Sequence, residues 1–365
     1  MEPFEDGRDA PFRFTHEQGL GHFAVSAKPS NDRARRFSGA PVTSFHRLDG
    51  LDMVPEALKG AMVAIGSFDG VHRGHQAVLS RLKAEAKARG VPAVMLTFEP
   101  HPRDVFAPTP FMFRLTPPDA KARLAAALGL NGIVLMPFSR DLSMLEAEEF
   151  VSRFLVKALR VSGVAVGADF HFGHNRRGTP DFLRAAGQIH GFSVDILDLL
   201  PEGEEAVSSS RIRAALTAGD TAAANGMLGY HWFFGGEVVK GDRRGRQLGF
   251  PTANMATAST FALAQGIYAV RARLGEKLLD GVASYGKPMF NNELPPFETH
   301  LFDFDADIYG LRLEVALVGH IRGQEKFAGL DELMAAMARD SAKARTALAA
   351  CAPLGDLDRT LGFFG

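Results

Sequence analysis

Cysteine, tryptophan and net charge are all scarce in this chain. Of its 365 residues one is Cys and one is Trp, and 41 Lys and Arg stand against 42 Asp and Glu. The single thiol, Cys351, allows neither an internal disulfide nor a cysteine cage for a metal, which suits a reducing cytoplasm. A formal charge of −1 leaves no overall basic field, so no nucleic-acid partner is expected. There is no run of 18 apolar residues, hence no expected membrane span. The opening MEPFEDGRDA has neither a basic start nor an apolar core and does not read as a secretory signal. A cytoplasmic globular protein is expected. Its 46% of hydrophobic residues can fill two cores, and its length divides into two domains at about 150 residues each.

Residues 1–45 carry no sustained periodicity and gather Pro, Gly, Ser and mixed charge, so a disordered extension is expected there. From residue 60, short apolar runs alternate with helical patterns. Strands are expected over 61–66 (AMVAIG), 91–98 (VPAVMLTF), 131–138 (NGIVLMPF), 161–167 (VSGVAVG) and 192–197 (FSVDIL). That alternation predicts an α/β domain over 46–225 with a parallel sheet, its ligands held in the loops after Ile65, Phe98 and Val166. From residue 226 the texture changes. GGEVVKG, GIYAVRARL, LDGVASYG, FETHLFDF and YGLRLEVALVG read as strands joined by turns, which predicts an antiparallel β-barrel over 226–352. An amphipathic helix over 330–350 closes it, with Leu330, Leu333, Met334 and Met337 expected on the packing face, and 353–365 forms a tail.

The loop after the first strand reads GSFDGVHRGHQ (66–76). Gly66, Gly70 and Gly74 let the backbone approach an anion, and the loop runs straight into a helix, whose free N–H groups and positive dipole end attract phosphate. His72 and His75 stand at that junction, able to donate to phosphate oxygens. A glycine-rich turn with two incidental histidines is the plainer reading of such a loop alone. Strand, HxGH and helix in that order favour the site.

HxGH in this position resembles the nucleotidyltransferase superfamily. The longer string GxFDGVHxGH, with TFEPHP (97–102), VGADFHFG (166–173) and VSSSRIR (207–213), is similar to one branch, the bacterial bifunctional riboflavin kinases/FMN adenylyltransferases, or FAD synthetases. The resemblance implies a Rossmann-like N-terminal domain in which His72 and His75 stabilise the ATP phosphates during in-line attack by the FMN phosphate. It implies nucleotide contacts from Gly66, Ser67, Phe68, Asp69 and Gly74, and from Ser209, Ser210 and Arg213. A serine-rich turn opening a helix is also an ordinary N-cap, and Asp69 suits either a ribose or the capping of the next helix. Phe98, His101 and Pro102, with Asp169, Phe170 and Phe172, fall on the family's flavin side, although His101 is equally suited to shaping its turn.

A second pattern lies at 236–254, GEVVKGDRRGRQLGFPTAN. Gly241, Gly245 and Gly249 interrupt a basic segment bearing Lys240, Arg243, Arg244 and Arg246, a flap able to fold over a polyphosphate; a solvated basic hairpin is the plain alternative. With PTAN (251–254) the stretch resembles the riboflavin kinase module, which is C-terminal in these bifunctional enzymes. The resemblance implies nucleotide contacts from Gly241, Arg246, Gly249, Pro251, Thr252 and Asn254. It implies Mg2+ held with ATP by Thr252 and Asn254, a hydroxyl and an amide oxygen that are both hard ligands. It also implies Glu298, in FETHLFDF, as the base that deprotonates the ribityl hydroxyl.

Two departures bear on kinase efficiency. The family usually reads close to GxRPTF before the base-bearing strand, where this chain has Gly286-Lys287-Pro288-Met289-Phe290, and Gln324 stands where an acidic residue is common. The expected function is therefore riboflavin plus ATP to FMN in the barrel, then FMN plus a second ATP to FAD and pyrophosphate in the α/β domain. An FMN adenylyltransferase with a weakened kinase is the second reading, and a flavin- or RNA-binding regulator without ATP turnover is the third. Small-molecule substrates are the expected partners, and the oligomeric state is left open.

Overall fold

The computed structural model describes residues 44–197, 207–241, 249–286 and 297–364. Almost all of the expected extension, the flap over 242–248 with Arg246, and 287–290 of the departing loop lie outside these segments.

The N-terminal half is a six-stranded parallel sheet of β1 (His46–Leu48), β2 (Met62–Ile65), β3 (Ala93–Glu99), β4 (Gly132–Pro137), β5 (Gly163–Gly167) and β6 (Ser193–Leu197). Its order is β1-β4-β3-β2-β5-β6. Every residue of β2 is buried, because helices cover both faces of the sheet and a two-sided strand must be apolar throughout. From β2 the chain moves outward through β3 and β4, then returns to place β5 on the other side of β2. That reversal opens a crevice beyond the carboxyl ends of β2 and β5, where sheets of this kind bind ligands.

The helices are α1 (Arg73–Arg89), α2 (Pro102–Phe106), α3 (Pro118–Ala127), α4 (Arg140–Ser143), α5 (Ala147–Phe150), α6 (Pro180–His190), α7 (Ser209–Ala218), α8 (Thr221–Leu228), α9 (Leu330–Ala350) and α10 (Asp356–Leu361). Helix α5 continues into π-helical turns over Val151–Ala158. Helix α1 buries Leu79, Leu82 and Ala86 on one stripe and stops at Gly90, whose φ of 67° is the left-handed C-terminal conformation that glycine adopts without strain.

The C-terminal half closes into a barrel of β7 (Phe233–Val239), β8 (Ala253–Met255), β9 (Gly266–Leu274), β10 (Lys277–Tyr285), β11 (Phe297–Leu301) and β12 (Arg312–Gly323), in the order β10-β11-β8-β7-β12-β9. All pairings are antiparallel, and closure leaves no free sheet edge. Helix α9 lies where expected, but on another face. Leu330 and Met334 are exposed, and the buried line is Ala336, Asp340, Ala344 and Leu348, four residues apart. Small alanines let the helix approach the barrel closely, and Asp340 is taken in by Arg322 of β12 at 2.6 Å.

Sheet and barrel share one continuous hydrophobic cluster, in which Leu82 and Met95 join Trp232, Phe233 and Val315. The expected boundary between 225 and 226 falls inside α8. Arg123 of α3 reaches across to pair with Glu314 of β12 and stacks over Phe233 and Phe363 at 5.1 and 4.7 Å. The chain end is pinned too: His231 Nδ1 bonds Asp358 at 2.7 Å, its Nε2 lies 3.2 Å from Cys351 Sγ, and its ring stacks on Phe364.

Candidate active sites

The loop after β2 turns over the crevice in a conformation that side chains rarely adopt. Phe68, Gly70 and Val71 have φ of 45°, 86° and 40°, so the surroundings must impose the shape. Asp69 is the principal anchor. Its buried carboxylate accepts from Leu115 N (3.2 Å), Thr116 N (2.9 Å) and Thr116 Oγ1 (3.1 Å), and pairs with Arg213. Thr116 Oγ1 in turn accepts from Gly70 N at 2.9 Å. Burial opposes ionisation, but Lys121, the Thr116 amide, Arg114 and Arg213 outweigh it and hold the Asp69 carboxyl below its usual range. The contacts of Asp69 and Arg213 are internal ties across the loop, and Ser209 Oγ adds another by donating to Asp69 O at 2.8 Å. Ser208, not Ser209 or Ser210, caps α7.

His72 is the N-cap of α1, its Nδ1 accepting from His75 N at 3.4 Å. The two rings stack with centroids 3.7 Å apart and 19° between planes. A Cβ at position 74 would come within 3.3 Å of the His72 ring, so Gly74 allows the turn to close this tightly. Burial pushes His72 down to about 4 against the pull of Asp69, and burial, His72 and Lys121 push His75 well below its ordinary value. Both imidazoles are therefore neutral at pH 7, and His75 Nδ1 is buried without a partner. An anion brought beside them would favour their charged forms.

Buried Lys121, with the partly buried Arg114 and Glu99, forms a charged group under the loop; the motif reading reaches Glu99, in TFEPHP, but neither Lys121 nor Arg114. Lys121 Nζ donates to Ser67 O (2.9 Å), Thr97 Oγ1 (3.1 Å) and Glu99 Oε1 (3.0 Å), and Arg114 donates to the same carboxylate oxygen at 2.6 Å. Its signal in the sequence is a lysine three and four residues before Leu124 and Ala125, on the apolar face of α3. A lysine so placed needs a partner, and Glu99 supplies one. His101 caps α2, with Pro102 opening that helix, and burial next to Arg114 lowers His101 to about 4.

Beyond β5, Phe170 and Phe172 stack at 5.5 Å; Phe172 and Phe98 both touch Phe150, at 5.2 and 6.5 Å. Phe172 is buried and Phe170 only partly so, which leaves Phe170 as the ring with a free side. Asp169 O accepts from His171 Nδ1 at 2.9 Å.

In the barrel, Thr252, Asn254, Thr299, Leu301 and Asp307 line a cleft of about 230 Å3. Asn254 and Glu298 are register partners across β8 and β11. A Cβ at Gly241 would lie 2.7 Å from the Asn254 amide, so that glycine makes room for the side chain. Thr299 Oγ1 is buried without a hydrogen-bond partner and lines the cleft. Pro251 O accepts from His300 Nδ1 at 2.9 Å, and Gly249 has φ of 81°. Gln324 Nε2 donates to Tyr285 O at 3.0 Å beside Gly286, a bond that an ionised acid at 324 cannot make.

The family model for FAD synthetase matches residues 54–211, and that for riboflavin kinase matches 228–348. The bifunctional riboflavin kinase/FMN adenylyltransferase of Escherichia coli strain K12 is 40% identical over 289 residues, covering 79% of this chain and 92% of that one. The chain belongs to the bifunctional riboflavin kinase/FMN adenylyltransferase family. Further members are those of Pseudomonas fluorescens, 40% identical over 80% of this chain and 94% of that protein, and of Bacillus subtilis, 33% identical over the same shares. A solved structure described as a macrolide-efflux protein from Streptococcus pneumoniae superposes on this family member with a TM-score of 0.72 at 29% identity, covering 82% of this chain and 98% of that one. The efflux description belongs to that protein; among the described residues here no helix is long and apolar enough to cross a membrane.

Proposed function

We propose that the two halves work in series, 226–352 as the riboflavin kinase that makes FMN and 46–225 as the FMN adenylyltransferase that consumes it. The observation that carries this reading is a pair of separate candidate sites, the HxGH loop that opens α1 and the barrel cleft lined by Thr252 and Asn254. A chain with both activities needs two polyphosphate sites, and each lies within one family match.

For adenylyl transfer, an FMN phosphate oxygen attacks the α-phosphorus of ATP while the bond to pyrophosphate breaks, without a covalent enzyme intermediate. Negative charge grows on the departing pyrophosphate. His72, His75 and the free N–H groups at the start of α1 neutralise it, held ready by the Asp69 and Lys121 ties. Phe170 offers its free face to the flavin.

For phosphorylation, Glu298 accepts the proton of the ribityl terminal hydroxyl as that oxygen attacks the γ-phosphorus and ADP leaves. Thr252 and Asn254 would hold Mg2+ together with the ATP phosphates. Two neutral oxygen donors fit an ion that keeps much of its shell for water and phosphate, and Gly241 leaves the Asn254 amide uncovered by a Cβ. When bound, the ion offsets phosphate charge. The Gln324–Tyr285 bond favours a working kinase over the weakened one, because it orders the strand end next to the departing loop. The cytoplasm, where ATP is available, is the compartment this reading places it in.

A chromatographic time course with riboflavin, excess ATP and Mg2+, run beside an FMN start, tests the scheme. FMN rising first and FAD following is the expected result. FAD from the FMN start alone would replace the reading with an adenylyltransferase whose kinase is inactive.

A further inference from the structure

The strained loop that carries His72 is gripped from behind by the segment that leads into the barrel. Tyr230 is wholly buried, and its hydroxyl donates to Gly70 O at 2.6 Å. Gln76, in the first turn of α1, bridges Val71 O (2.8 Å) and Leu228 O (2.6 Å) through one amide nitrogen, and Arg73 Nε donates to Gly226 O at 2.8 Å. Gly70 and Val71, the two residues whose carbonyls are held, have positive φ and stand immediately before His72.

The segment doing the holding is itself fixed to the barrel. Asn225 Nδ2 donates to Leu317 O of β12 at 3.0 Å, Asn225 Oδ1 accepts from Trp232 N at 2.9 Å, and Leu317 N donates to Trp232 O at 2.9 Å. Trp232 Nε1 donates to Leu115 O at 2.8 Å, and Leu115 N reaches the Asp69 carboxylate. Barrel strand, linker and phosphate loop are thus joined by consecutive hydrogen bonds.

We propose that Tyr230, supported by Gln76, is a positioning residue for adenylyl transfer, acting through the Gly70 and Val71 carbonyls to set where His72 and His75 stand. The inference rests on the adenylyltransferase reading of the HxGH site. Backbone in this conformation reverts when an anchor is lost, and a shift of about 1 Å at a catalytic group costs up to about a hundredfold in rate. Burial pushes the Tyr230 phenol well above its ordinary value, so the hydroxyl stays a donor across the working pH range. The ring packs independently of the hydroxyl, edge-on to Phe233 at 6.1 Å, so its removal need not disturb the core.

The test is Tyr230→Phe in the full chain, with both half-reactions measured separately, and Gln76→Met as a second variant that releases the loop from the other side. In each, kcat for FMN to FAD is expected to fall about tenfold or more, with KM for FMN and ATP within about twofold and riboflavin phosphorylation kept. An unchanged adenylyl-transfer kcat in both variants overturns the inference, as does a loss shared equally by the two activities or one confined to KM. Absence of FAD formation by the unsubstituted protein would overturn the reading of the site and the inference with it.

Discussion

Asn254 and Glu298 stand directly opposite one another across β8 and β11. Opposed residues in an antiparallel pair project from the same face with Cβ atoms about 5 Å apart, so the amide and the carboxylate leave the barrel wall on the same side. In the proposed kinase scheme this pairing sets the base for the attacking hydroxyl next to a holder for the nucleotide. Glu298→Gln keeps the shape and removes the basicity. It should lower FMN formation from riboflavin by about a hundredfold or more and leave FMN to FAD conversion unchanged, read from the two flavin time courses.

Replacing His72 and His75 together by Ala should do the reverse. On the proposed scheme these imidazoles stabilise developing phosphate charge, so their removal should lower FAD formation by about a hundredfold or more while riboflavin phosphorylation continues. Pyrophosphate release from an FMN and ATP mixture measures it. Equal loss of both activities would show a folding defect instead.

Gly241→Ala tests the barrel cleft without touching a charged group. The new Cβ meets the Asn254 amide at 2.7 Å and forces it away. Riboflavin kinase kcat/KM should drop at least tenfold, with adenylyl transfer intact. Normal phosphorylation by this variant would remove Asn254 from the proposed nucleotide site.

Stability should fall on both sides of pH 6.5, for opposite reasons. Burial resists charging of His231, but its bonds to Asp358 and Cys351 prevail and raise it to about 9. A raised folded value means stabilisation present below pH 6.5 and lost as pH climbs through 9. His72 and His101 are lowered to about 4 and His75 is lowered well below its ordinary value, so the unfolded chain takes up protons that the folded one refuses between pH 6.5 and 4. Melting temperature against pH should therefore decline at both ends. His231→Gln should lower it by about 5 °C at pH 6.5 and flatten the alkaline side alone.

Features written in contiguous residues were legible without a structure, and those made by distant ones were not. β2 declares itself because MVAI is apolar on both faces, and the place of His72 and His75 at the junction of loop and helix because strand, loop and helix follow one another, whereas the capping of α1 by the His72 ring does not. β1 is three residues, too short for any period, and β8 hides in PTAN because Pro-Thr reads as a turn. The Asp69–Arg213 tie spans 144 residues and has no local signature. On α9, hydrophobicity pointed to Leu330 and Met334. The buried face follows closeness of approach instead, which favours Ala336 and Ala344 and an aspartate that Arg322 can neutralise.

The only tryptophan in the chain, Trp232, sits at the seam between sheet and barrel, edge to face with Phe113 and beside Phe234 and Phe261. It is 1% exposed, with its indole N–H on the Leu115 carbonyl. The protein thus carries a built-in optical gauge of the contact between its two halves. Tryptophan emission during urea unfolding reports the parting of that seam, and comparison with far-ultraviolet circular dichroism shows whether the halves separate before either one melts.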